Sequence, residues 1–213
     1  MLFNLVRKDF ILIKKYWVVL IITAIGGPIF VTASVKLSSA GFLGFFIAAL
    51  YNEHFLFATV AVAEEKYKGS ALLCTTPYTR KALVKAKYIS ILVIFICTYI
   101  VYTFTAFVVP MGIEQLNIFT FGLSLLIITI FWGFIIPAQY KFGYEKTKYI
   151  SVFIIFISIA VVPNILKWLN SKDISLQISI PQIIQNLVPY FLALIIGFIS
   201  MSISIYIYSR KDL

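Results

Sequence analysis

The sequence predicts an all-α polytopic membrane protein: six transmembrane helices behind an N-terminal amphipathic helix, with both termini in the cytoplasm. Three observations carry that prediction. Six apolar stretches can be read, Trp17 to Val35, Gly41 to Ala63, Ile89 to Val109, Ile118 to Pro137, Tyr149 to Trp168 and Leu187 to Tyr208. Each is close to the ~20 residues that a helix needs to cross ~30 Å of hydrocarbon. The 213 residues are 62% hydrophobic and only 12% charged, which leaves too much apolar surface for a water-soluble domain of this size. Of the 18 Lys and Arg residues, 4 fall in the N-terminal arm, 6 in 64–88, 3 in 138–148 and 2 at the C-terminus, against Lys36, Lys167 and Lys172 elsewhere. Basic residues are retained in the cytoplasm, so both termini and the 64–88 loop are expected there and the chain in the cell membrane.

In chain order, Met1 to Tyr16 places Asn4, Arg7, Lys8, Lys14 and Lys15 on one helical face and Leu2, Leu5, Val6 and Ile13 on the other, with Phe10 and Leu12 flanking them. Such a helix suits the membrane interface; the alternative is a basic, partly ordered tail. Gly26-Gly27-Pro28 is expected to bend the first span. Near the middle of the second span stand Asn52, Glu53 and His54. A charged carboxylate at that depth costs about 2.5–3.5 kcal/mol on insertion scales, so Glu53 should face a partner, a cavity or water. Three consecutive residues spread over about 200° of a helix at ~100° each, so lipid cannot surround that level. Two readings stay open: a polar lining of a translocation path, or a buried network between helices.

The 64–88 segment is the longest hydrophilic stretch. Glu64-Glu65-Lys66-Tyr67-Lys68 followed by Ala71-Leu72-Leu73 reads as a helix continuing out of the membrane, and Thr75-Thr76-Pro77-Tyr78 breaks it, since proline disfavours helix at the residue before it. Thr79 is placed to cap a second helix, Arg80 to Lys87, that runs into the third span. The product is a compact cytoplasmic knob suited to docking, or else an ordinary connection with snorkelling lysines. Lys85-Ala86-Lys87-Tyr88-Ile89-Ser90 is echoed by Lys146-Thr147-Lys148-Tyr149-Ile150-Ser151. Lysine at the headgroups and tyrosine in the aromatic belt explain the echo, and no inverted-repeat transporter follows from it.

Several function classes are disfavoured. The net charge of +10 flanks spans rather than forming a nucleic-acid surface, and an anionic lipid surface or an acidic partner is the expected counterpart. The apolar run after Lys15 is longer than a signal-peptide core and Val31-Thr32-Ala33 is a weak cleavage site, so retention of the N-terminus is expected. Cys74 falls in the loop and Cys97 in the third span, so no disulfide is expected. With one histidine, no Cys-x-x-Cys and no Gly-Lys dipeptide, neither a metal site, nor any other cofactor site, nor a phosphate-binding loop can be read. Glu64-Glu65 is similar to the paired glutamates of the CAAX-type prenyl endopeptidases. That pattern also needs an arginine where Gly69 stands and further histidines on later helices.

A different resemblance covers the whole chain. Glu65-Lys66, Leu72-Leu73, Thr76-Pro77-Tyr78-Thr79-Arg80-Lys81, Val84 and Lys87-Tyr88 resemble the acidic residue, the Leu-Pro-x-Ser/Thr-Arg turn and the Lys-Tyr start of the third span in permease subunits of bacterial ATP-binding-cassette exporters of the ABC-2 type. Thr76 stands where leucine is usual. Asn4-Leu5 with Lys8-Asp9, Lys141-Phe142-Gly143-Tyr144-Glu145-Lys146 and Arg210-Lys211-Asp212-Leu213 are similar to other stretches of the same family.

The resemblance implies one transmembrane permease domain, 1–213, with an interfacial helix over 1–16 and a coupling segment over 64–88. It implies pairing with a second permease, identical or different, and with two separate cytoplasmic ATPases that bind the ATP. Contact with the ATPase would then fall on Glu64, Glu65, Lys66, Tyr67, Lys68, Leu72 and Arg80, with Met1 to Tyr16 alongside. Among such exporters the chain is most similar to those of amphipathic cytolytic peptides in low-GC Gram-positive bacteria, such as phenol-soluble modulin exporters. An ATPase-coupled peptide immunity or sensing factor, or a membrane-embedded enzyme, is the alternative reading.

Overall fold

In hydrocarbon every backbone N–H and C=O must find its partner inside the segment, so apolar runs of this length fold as helices. The computed structural model describes residues 2–34, 40–67, 79–109, 113–171 and 182–210, and the regular structure among them is entirely helical. The helices are α1 (Leu2–Ile13), α2 (Trp17–Ser34), α3 (Ala40–Lys66), α4 (Arg80–Val108), α5 (Ile118–Phe142), α6 (Tyr144–Ser171) and α7 (Gln182–Ser209). A 3-10 turn, Lys14–Tyr16, joins α1 to α2. Five runs, Leu2–Ser34, Ala40–Lys66, Arg80–Val108, Ile118–Phe142 and Ile183–Ser209, are long and apolar enough to cross a membrane. The sixth expected span, Tyr149 to Trp168, lies within α6, a 28-residue helix outside those five.

The helix ends follow local chemistry. Thr79 is extended, and its side chain accepts the N–H of Ala82 at 3.2 Å, as its place before Arg80 predicts. Between α5 and α6 the chain turns at Gly143 alone, with φ +85°, a conformation that L side chains rarely adopt. In α2 the helix continues through Pro28 to Ser34. The small residues nearby serve close packing: a Cβ on Gly44 would lie 2.8 Å from Pro28 Cα, and one on Gly27 would lie 3.3 Å from Ala48 Cβ. Small residues at such a contact let helices approach closely where lipid gives no hydrophobic drive.

The central helix is α3. In its most apolar window 61% of the residues are buried, against 17% to 33% in the other four candidate spans. Phe45 of α3 is fully buried, with ring centroids 5.5 Å from Phe95 and 5.3 Å from Tyr102 of α4. Phe121 of α5 closes the group, 4.3 Å from Tyr99. Aromatic pairs of this kind add about 0.5–1.5 kcal/mol each beyond the area they bury. The most extensive pairing is α5 with α7. There Gly122 accepts the ring of Tyr190, and the Ser200 hydroxyl donates to the Gly133 carbonyl at 2.8 Å.

Helix α1 is packed on its own chain. Leu5 and Val6 are buried with Ala86 of α4, and Ile13 with Leu56 and Val60 of α3. Two details differ from the expected amphipathic face. Leu2 is 37% exposed, whereas Asp9 is buried at 4%. The spacing Leu5, Asp9, Ile13 runs four residues at a time, so Asp9 shares the apolar face by geometry.

Candidate functional site

Asp9 is tolerated on that face because it enters an ionic cluster joining three helices. Lys8 on α1 lies 3.1 Å from one oxygen of Glu64 on α3, and Lys87 on α4 lies 3.1 Å from the other. Lys8 is also 3.2 Å from Asp9 Oδ1, and the Ser90 hydroxyl donates to Asp9 Oδ2 at 2.8 Å. Lys87 is 5% exposed, with its ammonium 5.1 Å from the Phe57 ring centroid and 5.7 Å from that of Tyr140. Two cations and two carboxylates make the cluster neutral, which is how charges persist in a site of low polarity. Lys87, Ser90 and Asp9 were not apparent as site residues from the sequence; the four-residue spacings that bury them were the available signal.

Glu65, Lys66 and Arg80 stand around the cluster. Glu65 Oε1 accepts the backbone N–H of Tyr144 at 3.2 Å, so a carboxylate meets the N-terminal first turn of α6, where the helix dipole favours it. Arg80 donates to the carbonyl of Ser209 at 3.0 Å, the matching arrangement at the C-terminal end of α7. Lys66 lies over the ring of Tyr67, 5.5 Å from its centroid, and Tyr67 is 63% exposed. Lys68 and Leu72 lie outside the described residues. The contacts of Glu64, Glu65, Lys87 and Arg80 thus bring the N-terminal helix, both edges of the 64–88 segment, the start of α6 and the end of α7 to one end of the bundle. At the opposite end the Tyr102 hydroxyl lies 2.7 Å from the Glu114 carbonyl and 3.1 Å from that of Gly41.

Deeper in α3, the polar triplet divides by direction. Asn52 is 2% exposed and joins α2 to α4: its Oδ1 accepts the Thr23 hydroxyl at 2.6 Å, and its Nδ2 donates to Thr98 at 3.2 Å and to the Leu20 carbonyl at 3.3 Å. Glu53 is 0% exposed, and its Oε2 accepts the indole N–H of Trp132 on α5. Its Oε1 has no hydrogen-bond partner among the described residues, nor has Nδ1 of His54. His54 turns the other way, to the deep part of a groove of about 540 Å³ that is walled chiefly by α6. Trp132, which fixes Glu53, gave no sign of that role in sequence, because nothing local relates the two positions. Cys97 is exposed on α4 as a free thiol, and among the described residues no group of three His, Cys, Asp or Glu side chains is placed to hold a metal ion.

A family described as ABC-2 family transporter protein matches residues 4–209 of the chain. No curated protein and no solved structure matches it.

Proposed function

The chain belongs to the ABC-2 family of transporter proteins, and on that premise we propose that it is the membrane-spanning permease subunit of an ATP-binding-cassette exporter. ATP is bound and hydrolysed on separate cytoplasmic subunits, and a second permease, identical or different, completes the translocation path. The exported class is amphipathic or antimicrobial-type peptides, a reading supported by the resemblance of the motifs around Thr76–Arg80 and at the two ends of the chain. All six apolar stretches cross the membrane, α6 included.

One observation carries the reading. The four stretches that hold 15 of the 18 basic residues are tied together at one end of the bundle by Glu64, Glu65 and Arg80. Positive charge concentrated at one end marks the cytoplasmic side, which is the side where an ATPase works. Motion imposed on the 64–88 segment reaches α1 and α4 directly, since Glu64 is bonded to Lys8 and Lys87. Glu64, Glu65 and Arg80 hold the segment's edges, while Lys66, Tyr67, Lys68 and Leu72 supply the face that meets the partner.

The test is Tyr67→Glu with Leu72→Glu, in cells or vesicles that hold the permease together with its cassette ATPase. A few buried anchors usually carry most of an interface's energy. Peptide export should fall at least tenfold and co-purification of the ATPase should weaken, with the permease still inserted at normal abundance. Unchanged export and unchanged co-purification would make the segment a plain connection.

A further inference from the structure

The groove beside His54 has a polar mouth and an apolar shaft. Glu65 of α3 bonds to the first residue of α6, so the two antiparallel helices start level with each other at the charged end of the bundle. Tyr144, Lys148 and Tyr149 line the mouth; Val152, Phe153 and Phe156 wall the shaft; His54 faces it from α3. From Lys148 to Phe156 the helix rises ~12 Å, most of the ~15 Å of one hydrocarbon leaflet.

Its size limits what can enter. A volume of about 540 Å³ spread over ~12 Å leaves a mean cross-section of about 45 Å². A helix with side chains, ~10–12 Å across, needs about 80–110 Å². The groove is too narrow for a helix of a second copy or of a peptide, and wide enough for an extended hydrocarbon chain. Charge selects the headgroup: Lys141, Lys146 and Lys148 stand against Glu145 in this stretch. Glu145 is itself paired with Lys148 at 2.6 Å, and the charge of Glu65 is offset by the α6 N-terminus.

We propose that this groove is a binding site for an anionic phospholipid of the adjacent leaflet, its headgroup at Lys148 and one acyl chain along Val152, Phe153 and Phe156. The site needs no ATPase and no exported substrate, so it stands or falls independently of the transport reading.

The test uses the full chain, purified and equilibrated with equimolar phosphatidylglycerol and phosphatidylcholine, and counts retained lipids by native mass spectrometry. One tightly held lipid per chain is expected, with phosphatidylglycerol favoured about fivefold, the effect of one lysine near an anionic headgroup. Lys148→Gln should bring the two headgroups to parity while the lipid is kept. Val152→Trp should lose the lipid with the helical circular dichroism unchanged. Whatever the fate of those variants, a phosphatidylglycerol with a photoreactive acyl chain should label the native protein between 148 and 156 on α6 and near His54 on α3. Equal retention of both headgroups, retention unaffected by Val152→Trp, labelling only elsewhere, or loss of the labelling when a second permease chain binds would each overturn the site.

Discussion

Trp132 is the one described side chain that bonds to Glu53, and it decides how substitutions at this level should behave. Glu53→Gln keeps an amide oxygen for the indole N–H and removes a buried carboxyl whose second oxygen has no described partner. Trp132→Phe instead leaves the carboxyl without either bond, at a cost of about 1–3 kcal/mol for an unsatisfied buried group. Thermal unfolding in detergent should therefore show the Phe variant well below the native protein and the Gln variant close to it. The reverse order would mean that the ionised Glu53 side chain, and not its bond to Trp132, matters at this level. Export separates the two roles of the triplet: a normally abundant Glu53→Gln variant with full export leaves Glu53 as a link between α3 and α5, whereas lost export makes it part of the path. That these residues avoid lipid was legible from three consecutive polar positions on one helix. Which of them turned inward was not, because the phase of α3 is set by Trp132 and Thr98 on other helices.

Helices α1, α3 and α4 meet at Glu64, and their coupling is measurable as a non-additive pair. Glu64→Gln leaves Lys87 buried without a counter-charge, and Lys87→Met leaves Glu64 with Lys8 alone. Removing one member of a buried pair costs about 3–5 kcal/mol; the side chain of Glu64 is 28% exposed, which places the expected loss near the bottom of that range. The double variant should recover most of it, since Met keeps the contact with the Phe57 ring and neither residue then needs a partner. A double-mutant cycle by chemical or thermal unfolding should give a coupling of at least ~1 kcal/mol; strict additivity would show that the two groups do not act together. The sequence showed the Thr79 cap and the outward extension of α3, both of which depend on residues a few positions apart. It did not show that Glu64 and Lys87, 23 residues apart, close the base of the segment, because only folding brings them together.

Across the molecule, the apolar stretches, their order and the helical class were legible because a ~30 Å slab of hydrocarbon imposes length and helicity on any chain that crosses it. The pairing of α5 with α7, the close approach of α2 to α3 at Gly44 and the groove beside α6 were not legible, since each depends on faces that several helices select jointly. The arrangement as a permease rests on one spatial fact: the basic stretches share an end of the bundle, and that end must face the ATPase. Reporter fusions test this most directly. A reporter fused after Leu213, or inserted between Lys66 and Lys81, should report the cytoplasm, and one inserted near Asn117 should report the outside. An external signal from the 66–81 insertion would contradict both the orientation and the coupling role of the segment.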